Sequence, residues 1–213
     1  MIEQLGEWNY LNNLANEYKS FIKTSHPLQK NKDEIVSIFS YENKANKCKI
    51  DSFFDYKTLD YMLHCHMGFH LFHDIRFISK ELSEYEEKME LYLKPLLEDL
   101  DPNVKRTSDF FIKRKGLDQW TPETLPAEIG NLKLYLQPPC YFSTINGAIV
   151  LLDYSDFENE NQFALFYNRM RDDFYGERRS AGQIHRMPEF DCDSLEELTK
   201  ILKELPSLVE KNI

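Results

Sequence analysis

Apolar residues recur at spacings of three and four along much of the first half of the chain, which is typical of one face of an α-helix. Near the start the pattern runs from Leu5 to Ile22 and predicts a helix over about residues 3–24, ended by Pro27. The next segment, residues 34–41, mixes β-branched and aromatic residues. Its pattern fits a strand or a short helix and leaves both open.

The same spacing continues from about residue 55 to residue 100. This stretch has no proline before Pro95 and one glycine, Gly68. Glu84/Lys88 and similar acid-first pairs four residues apart support its last part as helical. We therefore predict one long helix over about 55–100, or two helices broken near Gly68 or Ser79.

The second half changes character. Residues 101–130 carry three prolines and alternating charges, which indicates a connector. Residues 132–136 alternate apolar and polar side chains and predict a half-buried strand. The dipeptide Asn146-Gly147 favours a hairpin turn, and residues 148–152 after it are typical of a buried strand.

Two further helices are predicted toward the C-terminus. Phe163, Phe166, Met170 and Phe174 follow helical spacing, although a strand over 163–167 competes with this interpretation. Residues 183–187 form a weak strand pattern. A capping box that starts at Ser194 opens a last helix that continues to residue 205.

The predicted fold class is therefore α+β. A helix-rich N-terminal half, with its long helix at about 55–100, packs with a small C-terminal β-hairpin or sheet and two helices. The regions are residues 1–100, the connector 101–130 and residues 131–213, and we expect the last to form one compact unit with the first. We find no internal repeat in the sequence.

Composition narrows the class of protein. The chain has 213 residues, 42% of them apolar and 14% aromatic, which is enough to bury a core and argues against disorder. No run approaches the roughly 18–20 apolar residues that span a bilayer, and the first residues do not resemble a secretory signal. The cysteines, Cys48, Cys65, Cys140 and Cys192, are scattered without a CxxC pair, which predicts free thiols and a cytoplasmic location.

Charge points to the kind of partner. The formal net charge is −10, with 36 acidic and 26 basic residues spread evenly along the chain. A negative field repels phosphate backbones and attracts basic surfaces. Nucleic acid and membrane are therefore disfavoured as ligands, and a basic protein partner is expected.

Four of the six histidines fall between residues 64 and 73. On the predicted helix, His66, His70 and His73 lie within an arc of about 60°, with Asp74 at its edge. Imidazoles four residues apart can share a zinc ion when further ligands come from another element. However, no HExxH or Glu-x-x-His motif accompanies them. A metal site and an acid–base or pH-sensing role are therefore the alternatives to a helix face that uses histidine as a buried, hydrogen-bonded ring.

Arginines concentrate in the C-terminal part of the chain. Guanidinium groups bind carboxylates and phosphates in a planar fork, so such a group indicates an anion-binding or partner-binding site. Interleaved acids favour ordinary surface pairs instead. The candidate residues are Arg169, Arg171, Arg178, Arg179 and Arg186, with Tyr175 and His185 among them.

Two functions follow from the sequence. The first is an acidic cytoplasmic protein-binding module, for example an inhibitor or immunity-type protein that masks a basic partner such as a toxin nuclease; it needs no cofactor. The second is a small metal-binding protein or enzyme that uses the histidine cluster, with zinc or another divalent metal, on an anionic substrate. No nucleophile elbow or phosphate loop indicates a particular reaction.

Overall fold

A computed structural model describes residues 1–122, 125–144 and 147–211. The chain divides into two compact units, Met1–Asp101 and Pro102–Ile213, which we call the first and second units. Each unit contains an antiparallel sheet and helices of its own. Among the described residues, no helix is long and apolar enough to cross a membrane.

The first unit is a six-stranded antiparallel meander in which each strand pairs with the next along the chain. Its strands are β1 (Glu17–Tyr18), β2 (Phe21–Ser25), β3 (Ile35–Asn43), β4 (Cys48–Asp55), β5 (Asp60–Met67) and β6 (His70–His73). Two short helices precede the sheet, α1 (Ile2–Gly6) and α2 (Tyr10–Asn13), and α3 (Leu82–Asp99) follows it.

The second unit has a seven-stranded sheet in the order β13-β12-β11-β10-β8-β7, with β9 paired to β10. Its strands are β7 (Glu128–Ile129), β8 (Leu132–Leu136), β9 (Phe142–Ser143), β10 (Ala148–Asp156), β11 (Asn161–Asn168), β12 (Asp173–Ser180) and β13 (Gln183–Cys192). Its helices are α4 (Phe110–Arg114), α5 (Leu195–Ile201) and α6 (Leu205–Glu210). The predicted connector 101–130 thus contains α4 and β7.

The core of the first unit lies between one face of its sheet and α3. Tyr85 of α3 is fully buried, and its hydroxyl bonds Ser52 Oγ at 2.8 Å and the Met62 carbonyl at 3.1 Å. Its ring stacks on Tyr61 of β5, with centroids 5.4 Å apart. In the second unit, Leu198 of α5 and Leu205 and Val209 of α6 complete an equivalent core.

The second unit repeats the architecture of the first. β3, β4 and β5 each match a strand of equal length 113 positions later, namely β10, β11 and β12. Residues with positive φ recur at the same interval, Leu59 (62°) with Asp172 (60°), and Gly68 (58°) with Ala181 (50°). The register also shifts at equivalent places, between Ser37 and Phe39 and between Val150 and Leu152. The chain therefore contains an internal structural repeat, which the sequence analysis did not detect.

The predicted helix-rich fold is wrong, because the protein is mostly antiparallel β-sheet. Residues 3–24 form two short helices and two strands, and of the long helix over 55–100 only Leu82–Asp99 is α-helical. The buried side chains of β5 are Tyr61, Met62, Leu63, Cys65 and Met67. All but Met62 follow a spacing of two, which a three-and-four search overlooks.

The predicted helix over 163–174 is also wrong, since β11 and β12 occupy this stretch. Six consecutive residues, 162–167, are buried because both faces of β11 are covered. The apolar run among them, 163–167, does not distinguish a strand from a helix by its periodicity. The competing strand interpretation of 163–167 was the right one.

Other local predictions are confirmed. The strand over 132–136 is β8, the weak strand over 183–187 lies in β13, and the open segment 34–41 is largely β3. Ser194 caps α5, with its side chain accepting a hydrogen bond from the Glu197 backbone amide at 3.1 Å. β9 and β10 pair antiparallel as a hairpin would, although Asn146 of the predicted turn lies outside the described residues.

Candidate functional site

The histidine segment is a hairpin in the first unit. β5 and β6 pair around Gly68, whose φ of 58° suits the tight reversal. Because side chains alternate along a strand, His64 and His66 share one face of the sheet, and His73 joins them opposite His64. His70 lies opposite Met67 and therefore belongs to the other face. The predicted arc of His66, His70 and His73 does not exist.

His64 and His73 form a direct imidazole pair. Their Nε2 atoms are 3.0 Å apart, and the Phe53 ring packs against His64 with centroids separated by 4.4 Å. A hydrogen bond between two ring nitrogens needs one that carries a proton and one that does not, so at least one of the two rings is neutral. Burial, followed by the nearby His73 and His66 rings, lowers the pKa of His64 to about 4.

The neighbouring His66 is tied to a carboxylate. Its Nε2 lies 3.0 Å from Oδ2 of Asp51, and Lys49 Nζ lies 2.8 Å from Oδ1 of the same side chain. Burial raises the pKa of Asp51, but the hydrogen bonds from His66 and Lys49 outweigh it and bring the pKa below its usual value. Asp51 was missed in the sequence, because only the pairing of β4 with β5 brings it near the histidines.

The metal set predicted from sequence is not assembled. Asp74 pairs with Arg76, and His70 lies on the opposite face from His66 and His73. Within the described part of the chain, no three His, Cys, Asp or Glu side chains are close enough to hold an ion. A metal-bound histidine normally donates its second ring nitrogen to a partner, yet the buried Nδ1 of His73 has none in this region.

The arginine cluster is divided between the faces and the turns of the second sheet. Arg171 and Arg186 lie over the Tyr175 ring, 5.9 and 4.3 Å from its centroid. Both are paired with acids, Arg171 with Asp173 at 3.1 Å and Arg186 with Asp191 at 2.9 Å. Their guanidinium groups are therefore already partly compensated.

The remaining members of that cluster lie elsewhere. Arg169 packs over Phe111 and donates to the Gly147 carbonyl at 3.1 Å. Arg178 pairs in register with His185, on the opposite face of β12 from Arg179. The structure thus brings Arg171, Tyr175 and Arg186 together and separates them from Arg178 and His185.

A different surface emerges from α3. This helix carries six acidic residues and two lysines, and its outward residues include Glu84, Glu87, Glu90 and Leu91, which is 64% exposed. Glu84 is paired with Lys88 at 2.7 Å. Over the described residues, the side chains of Glu87 and Glu90 make neither an ion pair nor a hydrogen bond. We call Glu84, Glu87, Glu90 and Leu91 the acidic face of α3.

Sequence reasoning found the acid–lysine pairs of this helix but not the face. The apolar spacing of Tyr85, Met89 and Leu93 already marks the buried side of this helix, and the acidic face lies on the side away from them. No family model matches the chain, and neither a curated protein nor a solved structure matches it.

Proposed function

We propose that this protein is an acidic protein-binding module whose acidic face of α3 docks on a basic partner. The observation that carries the proposal is the exposed Leu91 with the uncompensated Glu87 and Glu90 beside it. An exposed apolar side chain can be buried at the centre of an interface while the charged side chains beside it stay at the polar rim. The carboxylates would speed encounter with a positively charged surface.

The charge of the whole chain supports this proposal. A net charge of −10 adds long-range attraction for a basic surface and repulsion for nucleic acid. The finer hypothesis, that binding masks a basic partner such as a toxin nuclease, remains a prediction that nothing yet tests. Neither a nucleic acid nor a membrane is part of the proposed binding.

The proposed compartment is the cytoplasm. The four cysteines are all free thiols, three of them buried, which suits a reducing environment. We propose that the interaction itself needs no cofactor. Zinc binding by the histidine face is the alternative, and elemental analysis of untagged protein tests it: one zinc per chain would support it, and metal-free folded protein would oppose it.

The test is association with a partner recovered from native lysate, measured at increasing salt. Steered binding slows steeply as salt screens the carboxylates, by roughly tenfold or more between 50 and 500 mM. Glu87→Lys should slow association further, and Leu91→Ser should speed dissociation, because it removes the apolar anchor.

Two substitutions outside the face serve as controls. Glu158→Gln removes an exposed acid of the second unit, and Met170→Ser removes a side chain that is 84% exposed there. Both should leave the rates near those of the unmodified protein. Salt-independent association, or equal losses in Leu91→Ser and Met170→Ser, would contradict docking through α3.

A further inference from the structure

A cavity of about 290 Å³ lies in the first unit between α3 and the segment that contains α2 and β1. Three tyrosine rings line it, Tyr10, Tyr18 and Tyr41, and Met89 and Leu93 of α3 form part of its apolar wall. The volume is close to the lower end of the range for small-molecule sites. The cavity is separate from the histidine face, and the sequence analysis did not assign its lining residues to a binding site.

The tyrosines offer this cavity their rings more than their hydroxyl groups. The Tyr18 hydroxyl donates to Glu98 Oε1 at 2.8 Å, and the Tyr41 hydroxyl donates to the Ala15 carbonyl at 2.5 Å. Both donors are therefore engaged. Aromatic faces carry a negative quadrupole and attract cations, above all organic ammonium groups.

Acidic residues reinforce that preference. Glu90 lines the cavity without an ion pair in the described structure. Burial, followed by the fields of Glu90 and Glu86, raises the pKa of Tyr10 to about 12, so both carboxylates act on the Tyr10 ring that lines the cavity. Lys94 also lies on the wall, but it is exposed, and its flexible stem allows the ammonium group to remain in solvent.

The equivalent place in the second unit has different side chains and a different helix. Ile129 ends β7 and pairs with Leu132, as Tyr18 ends β1 and pairs with Phe21, and Ile129 is buried with Tyr154 and Val209. The helix after the second sheet breaks at Leu202–Glu204, and α6 then contacts β7. In the first unit α3 continues without a break and leaves the space open.

We infer that this cavity binds an alkylammonium ion. The cationic group lies against the tyrosine rings and Glu90, and the hydrocarbon chain lies along Met89 and Leu93. The chemistry is shared by a free amine and by a lysine side chain of another protein. The inference does not depend on docking through Leu91.

The test is a titration of the intact protein, followed by NMR, with three probes that have the same hydrocarbon chain. These are hexylammonium, hexan-1-ol and hexanoate. Hexylammonium should bind about tenfold or more tightly than the other two, since only it gains the cation–π and carboxylate interactions. Equal binding of hexan-1-ol, tighter binding of hexanoate, or no saturable binding of any probe would overturn the proposal.

Variants then identify the groups responsible. Glu90→Gln should weaken hexylammonium binding by about fivefold to tenfold, whereas Glu87→Gln, on the same helix but outside the cavity, should not change it. Tyr18→Phe retains the ring and should retain binding, Tyr18→Leu should lose it, and Lys94→Met should strengthen it. Equal affinities of Glu90→Gln and Glu87→Gln would oppose the assignment.

A last arm distinguishes the two sources of the ammonium group. Nα-acetyl-lysine methylamide presents a lysine side chain with the peptide bonds of a protein. Tighter binding than hexylammonium assigns the cavity to a lysine of a partner. Weaker binding assigns it to a free amine.

Discussion

The two units present different chemistry from the same backbone positions. In the first unit, the cross-strand pair at the outer face of β5 and β6 is His64 with His73, two hydrogen-bonded imidazole rings. In the second unit, the pair 113 positions later is Glu177 with Arg186, an acid opposite an arginine whose guanidinium group pairs with Asp191. The comparison shows that the sheet does not depend on the chemistry of this face.

The features that the units share lie inside. The indole of Trp8 donates to Glu86 of α3, and the indole of Trp120 donates to Thr199 of α5 at 3.1 Å, so both units fix a tryptophan to the helix after the sheet. Phe77 and Phe190 are both fully buried, again 113 positions apart. The architecture therefore rests on core aromatic residues, turn positions and a register shift.

The largest expected effect is loss of a shared core ring. Phe77→Ala and Phe190→Ala should each lower the free energy of unfolding by about 3–5 kcal/mol, because each leaves a cavity. Hydrogen exchange should speed up most in the strands of the unit that carries the substitution. Ile184→Ala, at a side chain 55% exposed, is the control and should have little effect.

A small effect at Phe190 with a large one at Phe77 would mean that the two cores are not equivalent. Equal losses in the free energy of unfolding would show that the two core rings contribute equally to the stability of the protein. Denaturant unfolding followed by circular dichroism measures the free energies, and exchange locates them.

The comparison also explains how far the sequence could predict the fold. Local patterns predicted the structure correctly where a pattern is typical of a single element. Examples are the Ser194 cap of α5 and the alternating strand Leu132–Leu136. They failed in β5. Most of its buried residues are spaced by two, but together with neighbouring apolar residues they also fit spacings of three and four, which predicted a helix. The repeat was hidden because residues 35–84 are identical to their equivalents at only a few positions, such as Tyr41 with Tyr154.

The candidate site was less predictable than the fold. His66 and Asp51 are 15 positions apart and meet only through strand pairing, which no local pattern specifies. The cavity near Glu90 depends on how α3 packs against residues some 75 positions earlier. Individual chemistry-bearing residues can be read from the sequence, but their grouping requires the register.

The second expected effect comes from a glycine that the first unit does not have. Gly176 is equivalent to Leu63, and a Cβ added to it would lie 2.9 Å from Cδ2 of Phe190. Gly176→Ala should therefore lower the free energy of unfolding by about 1–3 kcal/mol through overpacking. Gly6→Ala is the control, since nothing lies within 4 Å of its added Cβ. An unchanged denaturation midpoint in Gly176→Ala would contradict the close contact.

The third effect uses acid to weaken the first unit alone. The pKa of His64 is lowered to about 4 in the folded protein from an ordinary 6.5. Between these values the unfolded chain binds the proton and the folded chain does not, so stability falls as pH decreases from about 6.5 to 4 and then levels off. Because the ring is only half-buried, the loss should be about 1–2 kcal/mol.

His64→Asn should remove this part of the pH dependence, and the second unit should not show it, since Glu177 stands at the equivalent position. An NMR titration measures the His64 midpoint directly. His73→Asn should raise that midpoint toward 6.5 by removing a neighbouring ring. A midpoint near 6.5 in the unmodified protein would contradict the lowered pKa of His64.

The smallest expected effect comes from the turn between β4 and β5 and its equivalent between β11 and β12. A glycine substitution there should change the free energy of unfolding with opposite signs in the two units. Leu59 and Asp172 both adopt a left-handed conformation, with φ of 62° and 60°. Leu59 is 57% exposed, so Leu59→Gly relieves strain at the loss of little packing and should stabilise the protein by about 1 kcal/mol.

Asp172 accepts hydrogen bonds from the Tyr167 hydroxyl at 2.6 Å and from Lys115 Nζ at 2.9 Å. Asp172→Gly loses both, which outweighs the relief, and should destabilise by up to about 1 kcal/mol. Asp172→Asn serves as the matched control, because it keeps a side-chain acceptor and tolerates the same φ. If both glycine variants shifted the midpoint of denaturant unfolding in the same direction, the predicted difference between the side-chain contributions of Leu59 and Asp172 would be contradicted.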